Sequence, residues 1–347
     1  MLPTQTRHRR GAMILMVAVV LVILLMGAVF TIDIAYMHMV RSEMRTATDA
    51  AAQAGSEALA RTQDRAAARQ AAIDIASRNQ IAGRPLTLQD SDIEIGGVRP
   101  GSRVGRLEFD AAAANQTAVR VTANRTAGSA DGEVPLFFAR LFGAQAFQPT
   151  QVATATANVR DIALVLDVSG SMNSRSGGQT RLAALKDAVN VFIDEIEANA
   201  PASLLSLSIY STRARKRIDL TDNYSQVRTQ VAGLRASGLT AIGQGLQMAS
   251  DSLENDSLAR PFAAKSVILM TDGRHNRGIN PLAVAPGVVA RGHSIHTVTF
   301  SSGADQSLMQ QVAALAPIGS HIHADSSSDL SEAFREIARS LFVTLVE

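Results

Sequence analysis

Three short segments carry oxygen-bearing side chains in a pattern that suits a hard cation. The first is Asp167-Val168-Ser169-Gly170-Ser171, directly after the apolar run DIALVLD. The second is Ser237-Gly238-Leu239-Thr240-Ala241, before a helical segment that starts near Ile242. The third is Thr271-Asp272-Gly273, at the end of KSVILMTDG. If the three meet, two carboxylates (Asp167 and Asp272) and three hydroxyls (Ser169, Ser171 and Thr240) converge on one point. Hard oxygen donors with few charges suit Mg²⁺, with Mn²⁺ or Ca²⁺ as substitutes. Hydroxyls in place of carboxylates around such an ion leave it electrophilic, so it seeks an outside carboxylate.

Other chemistries find less support. The chain has 347 residues and no cysteine, which excludes thiolate zinc sites, disulfides and a cysteine nucleophile. Ser169 sits in no G-x-S-x-G elbow. His275, after Thr271-Asp272-Gly273, is the one nearby candidate for a general base, and catalysis is not expected. His321, His323 and Asp325 alternate on a short run, so they face one way, but two histidines make a poor zinc site. His293 and His296 read as ordinary strand-entry residues. Arg213, Arg215, Lys216 and Arg217 form a basic stretch that reads as an exposed edge. The net charge is +2, aromatics are 4% and tryptophan is absent. No nucleic-acid partner is expected from such a balance.

The elements that must position these loops are legible from residue 160 on. Apolar, β-branched runs (DIALVLD, SLLSLSIYS, KSVILMTDG, SIHTVTF, HIHA) alternate with helical stretches. The helical stretches are RLAALKDAVNVFIDEIEAN, a pair within 224–257, PLAVAPGVVARG, SLMQQVAALA and a final helix from Ser328 to Val346. That alternation predicts an α/β, doubly wound, mainly parallel sheet covered on both faces. RKRIDL, around Ile218, reads as an antiparallel edge strand. In such sheets ligands bind beyond the carboxyl ends of the strands, where all three loops fall.

Upstream the chain changes character. Residues 12–32 are an uninterrupted apolar run preceded by Arg7, Arg9 and Arg10. About 21 residues at about 1.5 Å each match a bilayer's hydrocarbon, so 12–32 is expected to cross a membrane once, uncleaved. The basic flank places residues 1–11 as a cytoplasmic tail and the remainder outside. Residues 33–80 are alanine-rich and lack proline, and predict a helical stalk. Met37, Val40, Met44, Ala47, Ala51, Ala54 and Ala58 recur at alternating steps of three and four. That seam fits either a second copy's stalk or a neighbouring domain of the same chain. Glu43, Arg45, Asp49 and Glu57 read as a solvated face. Residues 81–159 show period two and predict a small β-rich unit with strands LTLQ, DIEI, RLEF, AVRVTA and VATATANV, and turns at Gly96-Gly97 and Pro100-Gly101. VPLFFARLFG reads as a short helix opened by Pro135 and stopped by Gly143. It concentrates Phe137, Phe138 and Phe142, with Phe147 close by, either as a core cap or as an exposed patch for a partner or the bilayer surface.

Two resemblances follow from these residues. The basic tail, the apolar helix and IDIAYMHMVRSEMRTATDAAAQAGSEALA resemble the opening of TadE/TadG-like proteins of Flp pilus (tight adherence) systems. The phenylalanine-rich stretch before an Ala/Thr strand is similar to the middle of TadG-like chains. Type IV prepilins are cut after a glycine followed by glutamate at the fifth mature position. Here Met16 stands at that place after Gly11, so the chain resembles the unprocessed, TadG-like member. From 160 to 347, D-x-S-x-S, a distant threonine and T-D-G resemble the metal-ion-dependent adhesion site of von Willebrand factor A domains. The resemblance implies Ser169, Ser171 and Thr240 as direct ligands, with Asp167 and Asp272 acting through water or from behind them. It also implies a partner that offers a Glu or Asp to the metal, machinery of a Flp-type pilus or secretion assembly, and a bacterial inner membrane with the carboxy-terminal domains in the periplasm. A surface adhesin, a spacer with a degenerate site in which Asp167 only caps a turn, and a metal-assisted hydrolase stand as alternatives.

Overall fold

The computed structural model describes residues 10–101, 107–139, 143, 146–156 and 159–341. It opens with one continuous helix, α1, Arg10–Thr62. This is the described helix long and apolar enough to cross a membrane, and its large apolar side chains from Met13 to Ile32, other than the half-buried Val29, are exposed. The basic tail at 1–9 lies outside the described residues.

The expected stalk is not one rod. It breaks at Gln63, whose φ is +54°, and resumes as α2, Arg65–Arg78. Local polar groups make the break. The Gln63 amide donates to Ala60 O (2.7 Å), and the Asp64 carboxylate accepts from Ala66 N (3.0 Å) and Ala67 N (3.3 Å). Asp64 is thus an N-cap, which competes with continued helix more strongly than alanine propensity resists. The seam itself is real. Val40, Met44, Ala47, Ala51 and Ala58 are buried by this same chain, so that face is not free for a second copy. Glu43 is not merely solvated, because its carboxylate accepts from Ala82 N at 2.8 Å.

Contacts divide the chain into two units: Met1–Ala51, Ala72–Ile93 and Val121–Ala153 in one, and Ala52–Ala71, Glu94–Arg120 and Thr154–Glu347 in the other. The middle strands are β1 (Ile93–Pro100), β2 (Leu107–Asp110), β3 (Ala118–Asn124) and β4 (Thr150–Thr156), in sheet order β2-β1-β3-β4. Three expectations fail here. LTLQ is not a strand. Gly96-Gly97 is not a turn but lies inside β1, where a Cβ on Gly97 would sit 2.1 Å from Asn115 O. Glycine there records a close backbone approach. Val134–Pro135 is a short strand paired with Ala146–Phe147 and not a helix start, while Phe142 lies outside the described residues.

The second unit holds the larger sheet. Its strands are β5 (Arg160–Asp167), β6 (Leu204–Tyr210), β7 (Ala214–Thr221), β8 (Ala264–Thr271), β9 (Ser294–Phe300) and β10 (Ser320–Ala324). The order is β7-β6-β5-β8-β9-β10, parallel throughout except for the antiparallel edge strand β7. The helices are α3 (Arg181–Asn199), α4 (Tyr224–Ala232), α5 (Ile242–Asn255), α6 (Pro281–Ala290), α7 (Gln306–Ala314) and α8 (Ser327–Ser340). Both faces of the sheet are covered, as continuous apolar strands require. Ile162, Leu164 and Leu166 of β5 pack with α3, α4 and α8, while Ala163 and Val165 pack with α5, α6 and α7. A Cβ on Gly245 would lie 2.6 Å from the Tyr210 ring, which explains how α5 comes so close to the sheet. The doubly wound topology puts the carboxyl ends of β5 and β8 side by side, with the start of α5 beside them.

Candidate metal centre

Asp167 is the last residue of β5 and is fully buried. Its Oδ1 accepts from Ser169 N (2.8 Å), which caps the turn, and its Oδ2 accepts from Thr271 Oγ1 (2.8 Å) at the end of β8. Ser169 Oγ lies 3.0 Å from Ser171 Oγ. Ser171 Oγ donates to Asp272 Oδ1 at 2.6 Å. Asp167, Ser169, Ser171 and Asp272 therefore form one hydrogen-bonded cluster across two loops.

Thr240 joins it through the backbone. Ser237 N donates to Val168 O (2.8 Å) and Gly170 N to Gly238 O (2.9 Å), which ties the second loop to the first. Thr240 N donates to Asn276 Oδ1 (2.8 Å), and Asn276 N returns to Thr240 O (3.2 Å), which ties it to the third. Two glycines keep these loops together. Gly238 has φ +87°, and a Cβ there would meet Thr212 Oγ1 at 2.6 Å. A Cβ on Gly273 would lie 3.5 Å from Ser171 Oγ and 3.9 Å from Thr240 Oγ1, so both hydroxyls face the same bare backbone.

The electrostatics are unbalanced. Burial pushes Asp167 up to about 6, and the neighbouring Asp272 charge pushes the same way, while hydrogen bonds from Ser169 and Thr271 pull back. Asp272 is buried too, but Arg181 Nη1 donates to its Oδ2 at 2.9 Å. Among the described residues no Lys or Arg pairs with Asp167. Below the cluster Tyr210 donates to Met270 O (2.6 Å), and burial followed by the Asp167 charge pushes its hydroxyl well above the usual range.

The donor set fits a divalent cation. Ligands about 2.0–2.1 Å from an octahedral centre stand about 2.9 Å apart along an edge. The Ser169 and Ser171 oxygens, at 3.0 Å, already have that spacing. Asp167 supplies a buried negative charge with no counter-cation of its own.

All five residues singled out from the sequence come to this corner. Arg181, Asn276 and Tyr210 were missed. A signal existed for Arg181: a cation in the first turn of α3 opposes the helix dipole, and such a mismatch calls for a compensating anion. The other candidates disperse. His321 Nδ1 bonds Thr297 Oγ1 (2.9 Å), His323 Nδ1 bonds Thr299 Oγ1 (2.9 Å), and His323 Nε2 reaches Asp325 (3.1 Å). His293 is held between Ser250 (3.2 Å) and Glu254 (2.7 Å), and His296 Nδ1 bonds Ser320 Oγ (2.7 Å). Among the described residues no three His, Asp or Glu side chains group as metal ligands. The Nδ1 of His275 is buried without a hydrogen-bond partner, so no site hydroxyl donates to it. In the basic stretch, Lys216 pairs with Asp219 and Asp256.

Residues 161–337 match the model of the von Willebrand factor type A domain, about half of the chain. Residues 49–157 match a putative Tad-like Flp pilus-assembly family, and residues 11–72 a putative Flp pilus-assembly TadE/G-like family. Inter-alpha-trypsin inhibitor heavy chain H4 of Bos taurus is 26% identical over 211 residues, covering 57% of this chain and 22% of that one. A UPF0353 protein of Mycolicibacterium paratuberculosis is 27% identical over 218 residues, covering 56% of this chain and 64% of its own. The chain thus spans less than two thirds of either relative. Proximal thread matrix protein 1 from the mussel byssus, solved with a zinc-occupied MIDAS motif, aligns with a TM-score of 0.44 and 22% identity over 52% of this chain and 45% of that one.

Proposed function

The chain belongs to the von Willebrand factor type A family, and from that premise we propose that it is a membrane-anchored binding component of a Flp-type pilus assembly. The matched families are those of assembly and of adhesion-type domains, and they point to a non-enzymatic role. In this reading Ser169, Ser171 and Thr240 hold Mg²⁺, or Mn²⁺ or Ca²⁺ in its place, with Asp167 and Asp272 behind them. When bound, the cation supplies an open position for the carboxylate of a partner's Glu or Asp.

The chain's own residues do the rest. Asp167 orients the first loop through Ser169 N and the third through Thr271. Asp272 holds the Ser171 hydroxyl, and Arg181 holds Asp272. The observation that carries the reading is the 3.0 Å pair of serine hydroxyls joined to two buried carboxylates. Preorganised donors of this kind cost little to assemble when a cation arrives. The anchor is α1, which we place across a bacterial inner membrane with the amino terminus in the cytoplasm and the later domains in the periplasm. The partners are then components of the pilus machinery.

The test is crosslinking from native membranes with Mg²⁺, with chelator, and with an Asp167→Ala/Ser169→Ala chain. Partners captured only with metal and an intact site support metal-gated binding. The same partners in all three samples assign recruitment to the anchor or the β-rich unit and overturn the reading.

A further inference from the structure

Asp33 is the first charged residue after Arg10, and it ends the apolar part of α1. It is only 5% exposed, although it lies on a helix surrounded by exposed apolar side chains. Its carboxylate is fully engaged. Oδ1 accepts from Phe137 N (3.0 Å), and Oδ2 accepts from Phe138 N (3.0 Å) and Ala139 N (2.6 Å). One carboxylate thus clamps three consecutive backbone N–H groups that are more than a hundred residues away in sequence. Charge-assisted bonds of this kind are strong, and they remove the cost of a desolvated anion.

The helix is a ruler. Met13–Ile32 covers about 30 Å at about 1.5 Å per residue, the thickness of a bilayer's hydrocarbon. Whatever bonds Asp33 must then lie where hydrocarbon gives way to headgroups. Phe137 is 63% exposed there, and Phe30, one turn before Asp33, is 62% exposed. Tyr36 meets the Phe137 ring edge-on at 4.9 Å between centroids. Tyrosine is a usual interfacial anchor at that depth, and phenylalanine rings beside it bury into the headgroup–acyl boundary. An apolar cleft of about 890 Å³ opens beside them, lined by Met26, Phe30, Ile34, Leu136 and Phe147. Met26 and Phe30 belong to the spanning face itself, so the cleft is continuous with the surface that lipid chains cover.

We propose that the segment Leu136–Ala139 is a foot resting in the outer membrane–water interface, latched to the anchor by Asp33, with lipid acyl chains filling the adjoining cleft. The proposal rests on the reading of α1 as a membrane span. The latch fixes Leu136–Ala139 against the lipid surface, where without it the segment would be free to swing away from α1.

The chain has no tryptophan, so a substitution supplies a sole emitter. Phe137→Trp and, separately, Leu21→Trp are placed in the full chain in phosphatidylcholine vesicles whose acyl chains are unbrominated, brominated near the carbonyl end to probe F137W, or brominated near the methyl end to probe L21W. F137W emission is expected to be quenched severalfold more by the brominated lipid than by aqueous iodide. Quenching by iodide alone, or by neither agent while L21W is quenched by lipid, places residue 137 in water or under protein and overturns the foot. If L21W is not quenched by lipid either, the span itself fails and the foot with it. Adding Asp33→Asn removes the charge but keeps the shape. F137W emission should then become iodide-accessible while L21W stays unchanged, and an unaltered F137W would remove Asp33 from the role of latch.

Discussion

Asp167→Asn should make the metal-free protein more stable and the metal-loaded protein less so. Burial and the Asp272 charge raise the Asp167 carboxyl from 3.8 to about 6. A carboxyl whose folded value lies above its unfolded one weakens folding at neutral pH. The penalty is fully present above about 6 and vanishes below about 3.8. About two units correspond to ~3 kcal/mol. Asparagine removes the charge but keeps an acceptor for Ser169 N. Thr271 Oγ1, which already lies 3.4 Å from Gly273 O, can turn its proton there. Weaker neutral hydrogen bonds reduce the gain to ~1–2 kcal/mol. For a domain of this size that is a rise in Tm of roughly 3–6 °C. The assay is calorimetry of the full chain in detergent at neutral pH. In chelator the variant should melt higher, and the difference should shrink as pH falls toward 4. In Mg²⁺ at about a hundred times Kd the wild type should gain ~2.7 kcal/mol and the variant nothing, so the order reverses. A variant that melts lower than wild type in chelator refutes the idea that uncompensated charge is stored at this corner.

Other expectations concern neighbouring groups. Arg181→Gln removes a positive charge from Asp272 and should tighten Mg²⁺ binding by about tenfold in calorimetric titration, equivalent to ~1.4 kcal/mol. It should also weaken capture of an acidic peptide by the loaded site. His296 is buried, and burial followed by Arg160 lowers it to about 4, so it is neutral when folded. Because the unfolded chain binds that proton first, stability should fall as pH drops from about 6.5 toward 4, by up to ~3 kcal/mol, and His296→Gln should flatten that limb of a pH-dependent denaturation series. Arg260 donates to the fully buried Asp161 at 2.8 Å from both its Nε and its backbone N. Arg260→Ala should cost ~3–5 kcal/mol in denaturant unfolding, because it strands a buried charge.

The doubly wound half was legible because strand and helix periods are unambiguous there. RLAALKDAVNVFIDEIEAN became α3 over those same residues, and RKRIDL became the antiparallel edge. The convergence of the three loops was legible because topology places the ends of β5 and β8 and the start of α5 together; the cation role of their five residues rests on the resemblance and is a proposal. What was hidden depends on contacts distant in sequence. Nothing near Asp33 indicates that its partners are the amides of Phe137, Phe138 and Ala139. Nothing near Gly97 indicates that Asn115 will press on it, so two glycines read as a turn. Pro135 was read by its preference for a first helical turn, yet an edge position in a two-residue strand serves a residue without an N–H equally well. Asp64 was readable as an N-cap and was outweighed by the alanines around it. Arg181 at the start of α3 signals by its mismatch with the helix dipole that an anion is near, but its own neighbourhood in sequence does not say that the anion is Asp272, 91 residues away.

The most direct test titrates Mn²⁺ into the full chain in detergent and follows the free ion by electron paramagnetic resonance, beside Ser169→Ala/Ser171→Ala. Saturable binding of one ion per chain, displaced by Mg²⁺ and lost in the double variant, is the expected result. No saturable binding, or equal binding by both chains, would contradict a cation held by these hydroxyls.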